Sequence, residues 1–186
     1  MNIQWVLADN LVLEPSADIN RMKNIGSFWG SWKTWRAYQT DNVVCHDQQK
    51  AEELIKKAFH GACNLYLPNS IYSEIGKPPG VRLYEGGFMG HTVDCQEEII
   101  AMNLAGSISD VVLLIGFDWR RKSKNKDELQ EIRNQNYNGL VLQAIKRNPD
   151  TQWVLVDHPG KLHKDLSKLD NLGQDTLEGV LKLLNA

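Results

Sequence analysis

The sequence predicts an α/β fold of the Rossmann-like, three-layer kind, with a mainly parallel sheet of five or six strands, and three observations carry that expectation. Apolar runs of strand length alternate with helical patterns along nearly the whole chain, no internal repeat or low-complexity segment interrupts the order, and Val111-Val-Leu-Leu-Ile-Gly-Phe117 is continuously apolar. Such alternation builds βα units around a parallel sheet. A continuous β-branched run marks a central strand covered on both faces.

Taken in order, the strand candidates are Ile3–Ala8, Asn42–Cys45, Cys63–Leu67, Val81–Tyr84, Val111–Phe117 and Gln152–Val156. Between them, Phe28, Trp32 and Trp35 share one side of a helix that docks on the sheet, with Trp29 and Tyr38 partly exposed. Ala51, Leu54, Ile55, Ala58 and Phe59 form one apolar stripe at helical spacing. Pro68–Gly80, with three prolines and two glycines, reads as a loop. Leu129, Ile132, Leu140, Val141, Ala144 and Ile145 fit a long helix closed by Pro149, and Leu177, Val180, Leu181 and Leu184 fit a last one. Asp94 with Glu97, and Asp175 with Glu178, read as capping boxes.

The 186 residues, 42% hydrophobic and 24% charged, suit one domain over positions 1–186. A net charge of −2 and an isoelectric point near 6.2 give no general attraction for a polyanion, which argues against a nucleic-acid partner. No apolar run approaches the roughly 20 residues that cross a bilayer, and Met1–Asp9 lacks the basic start and apolar core of a secretion signal. A soluble cytoplasmic protein without a membrane partner is the expectation. Cys45, Cys63 and Cys95 are odd in number, form no C-x-x-C pair and lie in or beside apolar stretches, as buried reduced thiols do.

In an open parallel sheet ligands bind outside the carboxyl ends of the strands. The residues that follow the strands are polar: Asp9 and Asn10, then Cys45-His46-Asp47-Gln48, Asn69 and Ser70, Glu85-Gly86-Gly87, Asp118-Trp119 and Asp157-His158. Turn positions favour Asp, Asn and Gly on structural grounds as well. The segment Glu85-Gly-Gly-Phe-Met-Gly90-His91-Thr92 leaves a strand and opens a helix near Asp94, and free backbone N–H groups there attract a phosphate. Its spacing matches neither of the common phosphate-loop motifs. His46 and His158 each stand beside an aspartate at a strand end, where a histidine can act as general base. Asp47 also suits the N-cap of the helix beginning at Gln48. No His/Asp spacing assigns a metal, and no cofactor is assigned. The basic run Arg120-Arg121-Lys122 with Lys124 and Lys126 suits either an anion contact or a solvated loop.

Gly90-His-Thr-Val-Asp-Cys-Gln-Glu-Glu-Ile-Ile-Ala-Met-Asn-Leu-Ala-Gly106, followed by Asp110-Val-Val-Leu-Leu-Ile-Gly-Phe-Asp118-Trp119, resembles the region shared by small bacterial sialyltransferases and motility-accessory glycosyltransferases. Cys45-His-Asp-Gln48 is similar to their turn after the second strand, and Trp153-Val-Leu-Val-Asp-His-Pro159 falls where their late strand and turn would. The resemblance spans Asn42–Pro159. It implies a nucleotide-sugar site with Gly90, His91 and Thr92 near phosphate or ribose, the Cys45–Gln48 turn near the nucleotide, and Asp118 behind them. The glycine-proline-serine turn of those families is replaced by Ala8-Asp9-Asn10-Leu11.

The leading expectation is therefore a small-molecule partner, a nucleotide or nucleotide-sugar. Asp9, Asp47, Gln48, Gly86, Gly87, Gly90, His91 and Thr92 bind it, and group transfer, where it occurs, uses His158 or His46 with Asp118. Two other classes stay open. One is a non-enzymatic assembly module whose aromatics at Phe28–Tyr38 meet a partner or a second copy of the chain. The other is a small hydrolase with Asp9 or Asp118 as nucleophile.

Overall fold

A computed structural model describes residues 1–9, 11, 17–58, 62–84, 97–117, 128–162 and 164–185. Eight strands form one all-parallel sheet: β1 (Ile3–Leu7), β2 (Ser27–Ser31), β3 (Asn42–Val44), β4 (Asn64–Pro68), β5 (Arg82–Tyr84), β6 (Val111–Ile115), β7 (Gln152–Val156) and β8 (Leu172–Asp175). Their spatial order is β5-β4-β3-β2-β1-β6-β7-β8. The chain thus steps outward from β1 to β5, crosses back to the other side of β1, and steps outward again to β8. Doubly wound sheets have this plan, and the place where the winding reverses lies between β1 and β6.

The Rossmann-like class expected from the sequence holds, with eight strands in place of five or six. The two extra strands have identifiable causes. β2 takes Phe28 and Trp29 out of the expected aromatic helix: Phe28 enters the core on one face of the sheet, beside Trp5 and Met22, and Trp29 enters the other, beside Val6 and Val44. Opposite faces for successive residues are the strand period. Buried Trp29 is satisfied there by its indole N–H donating to Gln4 Oε1 at 2.8 Å. β8 is short and mostly exposed, so it carries no apolar run to read.

Helices α1 (Ala17–Ile25), α2 (Trp32–Tyr38), α3 (Gln48–Ala58), α4 (Asn69–Glu74) and α7 (Leu177–Leu183) supply the apolar residues of one face. The other face packs on α5 (Glu97–Gly106) and α6 (Glu128–Arg147). Right-handed crossovers require this division of α1 to α6, because reversing the direction of stepping moves the connecting helix to the opposite face, while α7 follows the last strand and packs beside α1. α4 takes the first part of the loop expected over Pro68–Gly80, and residues 75–80 remain turn. The last helix is capped by Thr176, whose hydroxyl accepts from Gly179 N–H at 3.0 Å, rather than by Asp175. Asp94 lies outside the described residues. Among the described residues no helix is long and apolar enough to cross a membrane.

Candidate functional site at the carboxyl edge

Parallel pairing of β1 with β6, from Ile3–Val111 to Leu7–Ile115, brings the two strands to their ends together. Ala8 N–H still donates to Ile115 O at 3.0 Å, and then both chains turn away. On the β6 side the turn is made by Gly116 at φ +80°, where a Cβ would also lie 2.8 Å from Leu11 Cβ. Only glycine meets both conditions without strain.

Asp9 follows β1, and three elements hold it. Its main-chain N–H donates to Glu98 Oε2 at 2.8 Å, the Ser31 hydroxyl at the end of β2 donates to its carboxylate, and Lys33 Nζ lies 3.4 Å from its other oxygen. Ser31 is fully buried and serves α2 as well, accepting from Lys33 N–H at 3.0 Å. Asp9 keeps 21% of its side chain exposed and Lys33 63%, so this ion pair is the part of the group that meets solvent.

The end of β3 carries the second group. Cys45 is buried and its Sγ–H donates to Asp47 O at 3.3 Å. Burial first and the nearby Glu97 charge second push its thiol up to about 12, which makes it a poor nucleophile at neutral pH. His46 donates its main-chain N–H to Glu97 Oε1 at 3.1 Å, and its ring Nδ1 lies 3.3 Å from the same oxygen. That hydrogen bond, against an opposing effect of burial, raises the His46 pKa above its usual 6.5. Asp47 takes the N-cap role, its carboxylate accepting from Lys50 N–H at 2.9 Å.

Both groups converge on the first turn of α5. This helix is buried along most of its length and packs against β1, β2, β3, β6 and α6, yet it opens with Glu97 and Glu98, 8% and 2% exposed. Negative side chains are favoured there by the helix dipole and the first-turn N–H groups. Glu98 ties three elements together, since its Oε1 also accepts from the Tyr137 hydroxyl of α6 at 2.6 Å. Glu98, Ser31, Lys33 and Tyr137 were not singled out by sequence, and Glu97 only as the partner of Asp94 in a capping box. The available signal was the pair of acids directly ahead of Ile99-Ile-Ala-Met102, a helix otherwise too apolar for a surface.

Of the expected site residues, Asp9, His46 and Asp47 stand at the carboxyl ends of β1 and β3. Gln48 is exposed and hydrogen-bonds along its own helix to Glu52 at 3.1 Å. His158 follows β7, where its Nδ1 lies 3.2 Å from Gln174 Nε2 and 3.3 Å from Gly160 O. β3 and β7 are four strand positions apart, about 19 Å at the usual spacing, so His46 and His158 cannot serve one reacting atom. Asn10, Gly86, Gly87, Gly90, His91, Thr92, Cys95, Asp118 and the basic run at 120–126 lie outside the described residues.

Trp29 is 1% exposed, not partly exposed as expected, while Trp32 and Trp35 are half-buried against α3, β3 and β4. Phe28 and Trp29 are core, and Trp29 has no part in a partner surface. An open depression of about 360 Å³ at the opposite edge includes Gly106, Asp110, Asn148 and Thr151. Polar groups there serve the fold: Thr151 Oγ1 lies 2.9 Å from Gly106 O, and Asp110 accepts Asn2 N–H at 2.6 Å.

No family model matches the chain, and neither a curated protein nor a solved structure matches it.

Proposed function

We propose that this protein binds a nucleotide or nucleotide-sugar at the carboxyl edge of the sheet, over the ends of β1, β2 and β3. The observation that supports this most is the reversal of winding between β1 and β6, because open α/β sheets take ligands at that crevice and Asp9 stands in it. The carboxylate of Asp9, steadied by Ser31 and Lys33 while Glu98 holds the Asp9 main-chain N–H, is suited to accept hydrogen bonds from ribose or sugar hydroxyls. Lys33 supplies an exposed ammonium for a phosphate. Gly86, Gly87 and Gly90, with His91 and Thr92, precede α5 in the chain and are the proposed phosphate contacts.

Group transfer, the activity suggested by the glycosyltransferase resemblance, would use His46. Its ring is 43% exposed and is oriented by Glu97 as a general base is by its carboxylate. In that step the acceptor hydroxyl loses its proton to His46, its oxygen bonds the transferred sugar carbon, and the nucleotide leaves with the electrons of the broken bond.

Isothermal titration of the folded chain with UDP-glucose, UDP and CMP tests the proposal. Saturable binding in the micromolar to millimolar range, weakened tenfold or more by Asp9→Asn, is the expected result. No saturation by any of the three at millimolar concentration overturns it.

A further inference from the structure

We propose that His46 and Glu97 form a proton-operated latch between the end of β3 and the start of α5, and that closing it raises the affinity of the crevice for anions. The affinity half rests on the ligand reading above, whereas the latch itself does not.

One carboxylate oxygen of Glu97 receives two contacts from the same residue: the His46 main-chain N–H at 3.1 Å and ring Nδ1 at 3.3 Å. The first is independent of pH. The second is an ion pair only when the ring is protonated. With 43% of its side chain exposed, His46 exchanges protons with solvent, while its partner, 8% exposed, is kept from water. Among the described residues the charged groups facing His46 are Glu97 from α5, Lys50 from α3 and Asp47 at the N-cap of α3. Asp47 and Lys50 pair with each other at 3.9 Å, and Cys45, just after β3, keeps its proton. Glu98, next on α5, is turned to Asp9 and Tyr137.

Glu97 holds the imidazolium and so lifts the His46 pKa above its unfolded value of about 6.5. The stabilisation is therefore complete below about pH 6.5 and is lost as pH rises through the raised value. Opening the latch also changes the crevice. A protonated His46 cancels the Glu97 charge, whereas a neutral one leaves the crevice one unit more negative and repels an anion. By linkage, an anion that prefers the closed latch must raise the His46 pKa when it binds.

The test uses the full chain in two stages. Without ligand, His46 is titrated by NMR in the wild type and in Glu97→Gln, and urea stability is measured at pH 5.5 and 8.5. A wild-type midpoint above 6.5 that falls toward 6.5 in Glu97→Gln, with a stability deficit larger at pH 5.5 than at 8.5, is expected. A midpoint unmoved by the substitution overturns the latch whatever any ligand does. Should Glu97→Gln not fold, His46→Gln gives the same stability comparison, and a deficit that does not shrink toward pH 8.5 is equally fatal. UDP-glucose, whose charge is constant over this range, then reads the coupling. Its affinity should be threefold or more higher at pH 5.5 than at 8.5 in the wild type and level in His46→Gln. A shifted His46 with pH-independent UDP-glucose binding overturns the coupling. A shifted His46 with no binding at either pH overturns the nucleotide reading and leaves the latch standing.

Discussion

Glu98 offers the sharpest quantitative test of how the carboxyl edge is held together. It is 2% exposed and receives the Asp9 N–H at 2.8 Å and the Tyr137 hydroxyl at 2.6 Å. Hydrogen bonds to a charged acceptor contribute about 1.5–3 kcal/mol each, and donors stranded in the interior cost about 1–3 kcal/mol each. Glu98→Ala removes both bonds, and the gain from no longer burying a carboxylate offsets part of the loss, for a net destabilisation of about 3–4 kcal/mol. Glu98→Gln behaves differently. Its amide oxygen keeps the Asp9 N–H, and because a phenol can accept as well as donate, the amide N–H₂ can donate to Tyr137. The charge assistance of these two bonds is lost, about 1–2 kcal/mol. Urea unfolding at pH 7, followed by the fluorescence of the six tryptophans, measures both values. The reasoning is refuted if Glu98→Ala costs less than about 1 kcal/mol, or if the glutamine variant is as unstable as the alanine one.

Two further outcomes follow from the same edge. Gly116→Ala forces a side chain into φ +80° and sets its Cβ 2.8 Å from Leu11 Cβ, so it should destabilise by about 2–3 kcal/mol and lower the thermal midpoint by about 5–10 °C; a shift within 1 °C would contradict the described backbone. Cys45, with its thiol pushed up to about 12, should resist alkylation by iodoacetamide at pH 8 in the folded protein and react readily in 6 M urea. Peptide mass mapping at Cys45 checks this, and labelling at equal rates in both conditions would show that the thiol is neither buried nor held neutral.

The legibility of this fold varied with how much of each element is buried. β6 and β7 were plain in the sequence because β6 is apolar throughout and β7 is apolar after Gln152, and the spans of α3, α6 and α7 followed from regular apolar spacing and from Pro149. β2 was hidden because Phe28-Trp-Gly-Ser-Trp32-Lys-Thr-Trp35 also satisfies a helical spacing, and the strand choice is made by pairing with β1 and β3, which no local pattern records. Asp9, His46 and Asp47 were legible as residues that follow strands. Glu97 and Glu98 were not, since their role depends on α5 lying across strands that come 50 to 90 residues earlier in the chain. The two histidines looked equivalent in sequence, and only the strand order separates them.

The position of β1 has a consequence for how the protein comes off the ribosome. Among the eight described strands it is made first, yet it is buried in the middle of the sheet, with β2 on one side and β6 on the other. β2 emerges soon afterwards, while β6 begins about a hundred residues later. At a translation rate of about 5–20 residues per second, the other side of β1 waits roughly 5–20 seconds with its backbone N–H and C=O groups unpaired. An apolar strand open for that long is a template for pairing with other nascent chains. Crowded polysomes and slow elongation should therefore lower the yield of this protein more than its final stability suggests. A ribosome-associated chaperone that shields β1 and β2 until β6 arrives should restore it.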